Sequence, residues 1–111
     1  MYSLNNIKQN NCPLKFISNI LGKKWVCEII WEIGNDKKRF GELQRCIEGC
    51  SKKMLIQQLE FLIENGIVIN DKKELKNNIQ STYYLSECGV SLLPIMETMI
   101  LWSNKHIKCD C

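Results

Sequence analysis

Residues 49–66 read GCSKKMLIQQLEFLIENG. Ser51 stands where a helix N-cap belongs, and Asn65-Gly66 supplies a stop. Between them Leu55, Leu59, Leu62 and Ile63 recur at helical spacing, joined by Met54, which predicts an amphipathic helix with that stripe buried. The other face carries Lys52, Lys53, Ile56, Gln57 and Glu60. Two lysines in a first turn oppose the helix dipole. That local cost is understandable if an anion approaches the same end.

The flanking segments decide what kind of helix this is. Upstream, RFGELQRCI reads as a short helix with Phe40, Leu43 and Ile47 inward, and Gly49 then turns the chain. Two helices joined by a glycine turn make a helix-turn-helix. Downstream, IVIND reads as a strand, KKELKNN as a polar turn and IQSTYYLS as the returning strand. A hairpin in that place is a wing. Further upstream, Pro13 opens a helix with Leu14, Ile17 and Leu21 on one face, and Gly22 ends it. KWVCEIIWEI follows, with Trp25, Ile29 and Ile33 spaced by four and Gly34 as the stop. Ser86 caps a long last helix containing Leu92, Leu93, Met96, Met99, Ile100 and Trp102. Pro94 falls early enough in it to leave one helix. The fold class is mainly α with a small β-hairpin (α+β), a winged helix-turn-helix. Residues 1–111 are expected to form one domain, with 1–11 as a flexible arm and 104–111 as a frayed tail.

Composition limits the functions. At 111 residues the chain holds one modest core, and 45% hydrophobic with 24% charged residues is a globular balance. A net charge of +3 is too small to argue for a polyanion partner, so placement of the charge must do so. No apolar run reaches the roughly 18 residues of a membrane span, and MYSLNNIKQNN lacks the apolar core of a secretory leader. Seven cysteines, an odd number without a leader, are expected to be reduced thiols in the cytoplasm. No C-x-x-C occurs. Cys109, Cys111 and His106 offer three metal ligands where zinc prefers four, so a tail is expected there, and no metal or other cofactor. There is no Gly-rich phosphate loop, no G-x-S-x-G and no paired histidine and carboxylate, so no catalytic residues are assigned and an enzyme is not expected.

The sequence also resembles the HxlR family of transcriptional regulators, within the MarR-like winged helices. The resemblance rests on Cys12-Pro13, GKKW at 22–25, KRFGEL at 38–43, GCSKKMLIQQLEFLIENGIV at 49–68, YYLSECG at 83–89 and LLPIMETMILW at 92–102. It implies a dimeric, sequence-specific DNA-binding regulator. The charge placement points the same way. Lys37-Lys38-Arg39, Lys52-Lys53 and Lys72-Lys73 with Lys76 are three basic spots that a winged helix folds toward one face. The expected DNA contacts are Lys38, Arg39, Ser51, Lys52, Lys53, Ile56, Gln57, Lys72, Lys73 and Lys76. The first turn of a recognition helix is what enters the major groove, where lysine reaches guanine and glutamine pairs with adenine.

One recognition helix reads only a few base pairs, so a homodimer on a pseudo-palindromic operator is expected. Leu14, Ile17, Leu92, Met96, Met99 and Trp102, from the first and last helices, are the expected interface. Cys12, at the N-cap of the first helix with Lys8 and Lys15 nearby, is a candidate redox thiol, whereas Cys27 and Cys88 lie in apolar patterns and should be inert. Some members of the resembled family respond to oxidants or electrophiles through a cysteine at this place. A winged helix used only for protein contact, and a metal- or ligand-responsive sensor built on the thiols, are the alternatives. The effector, the operator sequence and the sign of regulation are not encoded in any motif.

Overall fold

The structure, a computed structural model, describes residues 12–76 and 78–107. The expected arm at 1–11 and the Cys109 and Cys111 pair lie outside the described residues. Helix α1 is Pro13–Leu21, with Pro13 at its first position and Gly22 N donating to Ser18 O at 2.8 Å to close it. Only Ile20 of this helix is buried; Leu14 is 73% and Ile17 49% exposed. Helix α2, Val26–Ile33, is the opposite case, with Val26, Ile29, Ile30 and Ile33 all fully buried.

Trp25, just before α2, sits at φ 78, a left-handed conformation uncommon for a bulky side chain. Its indole reaches the turn at Gly49, where a Cβ would meet Trp25 Cη2 at 3.4 Å. Gly49 has φ 86, so it also supplies the turn that other residues resist. The GKKW motif and the glycine before the recognition helix are two sides of one contact.

Strand β1 is Lys38–Arg39, helix α3 Phe40–Cys46 and helix α4 Lys52–Glu64. Strand β2, Val68–Leu75, and strand β3, Asn78–Leu85, precede the last helix α5, Glu87–His106. The sheet order is β1-β3-β2, all antiparallel, so the returning wing strand is central. One element is unforeseen here and one expectation fails. Strand β1 is not foreseen, because two residues give no periodic signal. Within KKELKNN, where a polar turn is expected, Lys72–Leu75 and Asn78 are strand instead: pairing runs in register from Val68↔Leu85 to Leu75↔Asn78, with Lys76 at φ 27. None of the described residues of this outer ribbon is buried, so its sequence lacks the apolar alternation by which strands are recognised.

The core is built from α2, the inner faces of α3 and α4, and the first residues of the wing. Leu43, Ile47, Leu55, Leu62, Ile67 and Val68 are at most 2% exposed. Ile63, expected in the buried stripe of α4, is 36% exposed; it lies one residue past Leu62 and turns out of the core. Helix α5 passes through Pro94 without ending and runs to His106, so residues 104–106 are helix rather than the expected tail. Met96 is 5% exposed and belongs to this core, not to a free interface. Leu92 and Leu93 pack against it.

One junction ties wing, α4 exit and α5 together. Ser86 N donates to Ile67 O at 2.9 Å, Ser86 Oγ donates to Gly66 O at 2.5 Å, and Gly89 N donates back to Ser86 Oγ at 3.1 Å. Ser86 is thus the N-cap of α5 and the clasp on the strand before it. Gly89 lies against the same Ile67 carbonyl, with no room for a Cβ.

Candidate nucleic-acid interface

Ser51 caps α4 as its sequence suggests: its Oγ accepts from Met54 N at 3.1 Å. The preceding helix is held by Glu42, whose Oε1 accepts from Arg39 N at 3.0 Å. With both helices fixed, Lys52, Lys53, Ile56 and Gln57 are all exposed on α4, Ile56 at 39%.

The wing folds beside that face. A cleft of about 670 Å³ lies between α4 and the sheet, lined by Lys52, Ile56, Glu60 and Ile63 from the helix and by Asn70, Lys72, Ser81 and Tyr83 from the strands. Lys52 and Lys72, far apart in sequence, therefore face one space. Tyr83 forms part of its wall; burial first, and the Glu60 carboxylate second, push its phenol above the usual range.

Strand alternation divides the remaining basic residues. Lys38 pairs with Tyr83 and Lys72 with Ser81, which puts both on the cleft side of the sheet. Arg39 pairs with Thr82 and Lys73 with Gln80, on the opposite side. Lys76 is exposed at the tip of the ribbon. Of the three basic spots, the structure thus sets Lys38 and Lys72 on the sheet face that looks toward Lys52 of α4 and sends Arg39 and Lys73 to the other face.

Arg39 is also occupied. With the Gln80 carboxamide turned so that its oxygen, not its NH2, faces the guanidinium, that oxygen accepts from Arg39 Nε at 2.7 Å and Nη1 at 3.1 Å, and from Nη2. Lys37 is similarly engaged, its Nζ 4.9 Å from the centre of the Tyr84 ring. Sequence reading treats every exposed cation alike; the signal that separates them is the strand register, which becomes legible only once β1 is recognised.

The candidate interface residues also divide. Leu14, Ile17, Met99 and Trp102 are substantially exposed, at 73%, 49%, 42% and 61%. Leu92 is half-buried against the core and Met96 is inside it. Ile95 and Leu101, exposed at 51% and 63%, add to the free apolar surface of α5, and sequence reasoning misses both.

The thiols differ in kind. Cys12 is the N-cap of α1, and the backbone N–H groups of Lys15 and Leu14, with a smaller contribution from the Lys15 charge, hold its thiol below the ordinary range. Cys27 donates to Leu21 O at 3.4 Å, and burial, then the Glu28 carboxylate, push it up. Cys50 is buried beside the cap of α4 and is pushed up mainly by burial. Cys88, expected in an apolar setting, is exposed on the first turn of α5. Among the described residues no cluster of ligands fit for a metal ion occurs.

Comparison with known proteins agrees with this geometry. A family model described as HxlR-like helix-turn-helix matches residues 20–110. The uncharacterized HTH-type transcriptional regulator YtcD of Bacillus subtilis is 32% identical over 103 residues, spanning 91% of this chain and 79% of that protein. The reduced form of the transcriptional regulator YodB from B. subtilis superposes with a TM-score of 0.78 at 29% identity, covering 89% of this chain and 97% of that one. The redox regulator HypR in its oxidized form gives a TM-score of 0.78 at 30% identity, covering 88% and 100%.

Proposed function

The chain belongs to the HxlR-like helix-turn-helix family of transcriptional regulators, and from that premise we propose that it acts as a homodimer on a pseudo-palindromic operator. Members of such a family bind DNA and are not enzymes. The reading takes residues 1–111 as a single DNA-binding domain working in the cytoplasm, and no described helix is long and apolar enough to cross a membrane.

The observation that carries the proposal is the pairing of Lys52 and Lys72 across one cleft, from the recognition helix and the wing. Ser51, Lys52, Lys53, Ile56 and Gln57 enter the major groove, while Lys38, Lys72 and Lys76 meet phosphates on its flank. Arg39 and Lys73 stand as weaker candidates, because the register turns them to the far sheet face. Two such helices about 34 Å apart read successive major grooves. The dimer is proposed to form through Leu14 and Ile17 of α1 with Met99 and Trp102 of α5, whose exposed apolar surface suits burial between copies. Duplexes selected from a random pool, then titrated with salt, test the reading. A steep salt dependence and a recovered inverted repeat support it; weak binding without sequence preference leaves the protein-contact adaptor instead.

A second reading rests on Cys12. Its thiol is held low by the α1 N-terminus, and the similar HypR is a redox regulator. Oxidation at this position would alter the first helix, and with it the spacing of the two recognition helices. Operator affinity before and after mild peroxide, in the native chain and in Cys12→Ser, tests this; an identical response of both proteins removes Cys12 from the mechanism.

A further inference from the structure

The cleft between α4 and the wing is not uniformly basic. Its lining residues on α4, Lys52, Ile56, Glu60 and Ile63, follow one another down one face of the helix. Lys52 opens α4, and Glu60 lies a little over two turns on, about 12 Å further along the axis. The wing carries the same order. Lys72 pairs with Ser81 nearer the ribbon tip, and Asn70 with Tyr83 nearer its root. The Glu60 carboxylate acts on the Tyr83 phenol, so Glu60 belongs to the root end. One end of the cleft therefore holds lysines from both walls, and the other holds a carboxylate.

The two ends differ in solvation as well. Lys52 and Lys72 are exposed. At the root, Tyr83 is half-buried and the Asn70 Oδ1 is out of contact with solvent. A charge beside such a surface is screened less than one in open water. Glu60 is itself exposed, so its field reaches the space that a nucleic-acid backbone would occupy. A duplex without matching bases is held almost wholly by attraction of its phosphates. The lysines draw those phosphates in, and no base contact fixes how deep they go, so they meet the carboxylate. In an operator complex the first turn of α4 is held in the major groove by base edges. Those contacts set the depth of the backbone and keep it at the lysine end.

We propose that Glu60 is a specificity-determining residue, whose carboxylate at the root of the cleft repels duplexes that lack the operator sequence more than it repels the operator. The inference rests on the DNA-binding reading. It is tested by fluorescence anisotropy with full-length protein, an operator duplex selected from a random pool, and a scrambled duplex of the same length and composition. Glu60→Gln should tighten binding of the scrambled duplex by roughly threefold to tenfold and of the operator by less than about twofold, and the gain should shrink as salt is raised. The ratio of operator to scrambled affinity falls accordingly. Glu64→Gln is the control for net charge: Glu64 is exposed one turn further along α4 and does not line the cleft. That variant should leave the ratio as it is in the native chain. An unchanged ratio in Glu60→Gln would overturn the proposal, whether both affinities rise or neither does. An equal fall in Glu64→Gln would overturn it too, because the effect would then belong to net charge and not to the cleft. Failure of the native chain to prefer any duplex is a different result, and it removes the DNA-binding reading itself.

Discussion

Replacing Gly89 with alanine isolates the junction that sets the wing against the rest of the domain. On an exposed helix the change would stabilise by about 0.4–1 kcal/mol, because alanine is the better helix former. Here the new Cβ would overlap the Ile67 carbonyl oxygen and lie 3.0 Å from Leu85 Cβ and 3.2 Å from Ile67 Cγ2. None of these is the free end of a flexible side chain. The carbonyl is already fixed by Ser86 N at 2.9 Å, so relief requires the first turn of α5 to move away and loosen that bond. Overpacking of this kind costs about 1–3 kcal/mol, and a weakened hydrogen bond adds about 1 kcal/mol. Subtracting the propensity gain leaves a net loss of about 1–3 kcal/mol, a fall in Tm of roughly 4–8 °C per kcal/mol for a domain near this size. Thermal unfolding by circular dichroism measures it. Gly41→Ala is the control: a Cβ there meets only Arg45 Nη1 at 3.5 Å, so that variant should be neutral or slightly stabilised. If Gly89→Ala matches the Gly41 control, helix and strand do not approach as described and the junction argument is wrong.

Lys52→Ala and Lys53→Ala should each weaken operator binding without lowering Tm, since both side chains are exposed beside the buried stripe; a lysine that neutralises one phosphate makes the plot of log affinity against log salt steeper by about 0.9, so its removal makes that plot shallower by the same amount, whereas a base contact costs about 1–3 kcal/mol at one operator position. Arg39→Ala and Gln80→Ala should be non-additive in a double-mutant cycle, because the two groups share one contact; additive losses would mean that Arg39 acts on DNA by itself. Cys12 should be alkylated faster than Cys27 at neutral pH and stay reactive to lower pH, because its thiol is held down and that of Cys27 is pushed up; equal rates in a site-resolved labelling experiment would leave Cys12 a packing residue. Trp102→Glu should raise the dimer dissociation constant by roughly tenfold or more in sedimentation, as truncation of a buried aromatic anchor does; an unchanged distribution would place the interface elsewhere.

The helices are legible because each carries a stripe and a stop. Ser51 and Ser86 are caps in the sequence and caps in the structure. The winged helix-turn-helix order follows from them. What stays hidden is what pairs without burial. Strand β1 is two residues long, and the outer ribbon of the wing has no buried residue among those described. Neither leaves a periodic trace, so the register that sorts Lys38 and Lys72 from Arg39 and Lys73 cannot be read from the residues alone. Burial along α1 and α5 is ambiguous for a different reason. A helix that packs on its own core and also keeps an apolar outer face looks apolar all round, so the pattern overlooks Ile20 and sets Met96 outside.

The position of β3 between β1 and β2 has a consequence for the order of assembly. The hairpin of β2 and β3 is a local structure, closed by a short reversal, and such hairpins form within microseconds. The bridge from Lys38 to Tyr83 encloses α3, α4 and β2 in a single loop. Its closure entropy must be met before any contact offsets it. The bridge is therefore the late event, and it is short. Until it forms, the segment before α3 and the wing are held together only through the core and the clasp at Ser86; once formed, that segment is pinned directly to the central wing strand.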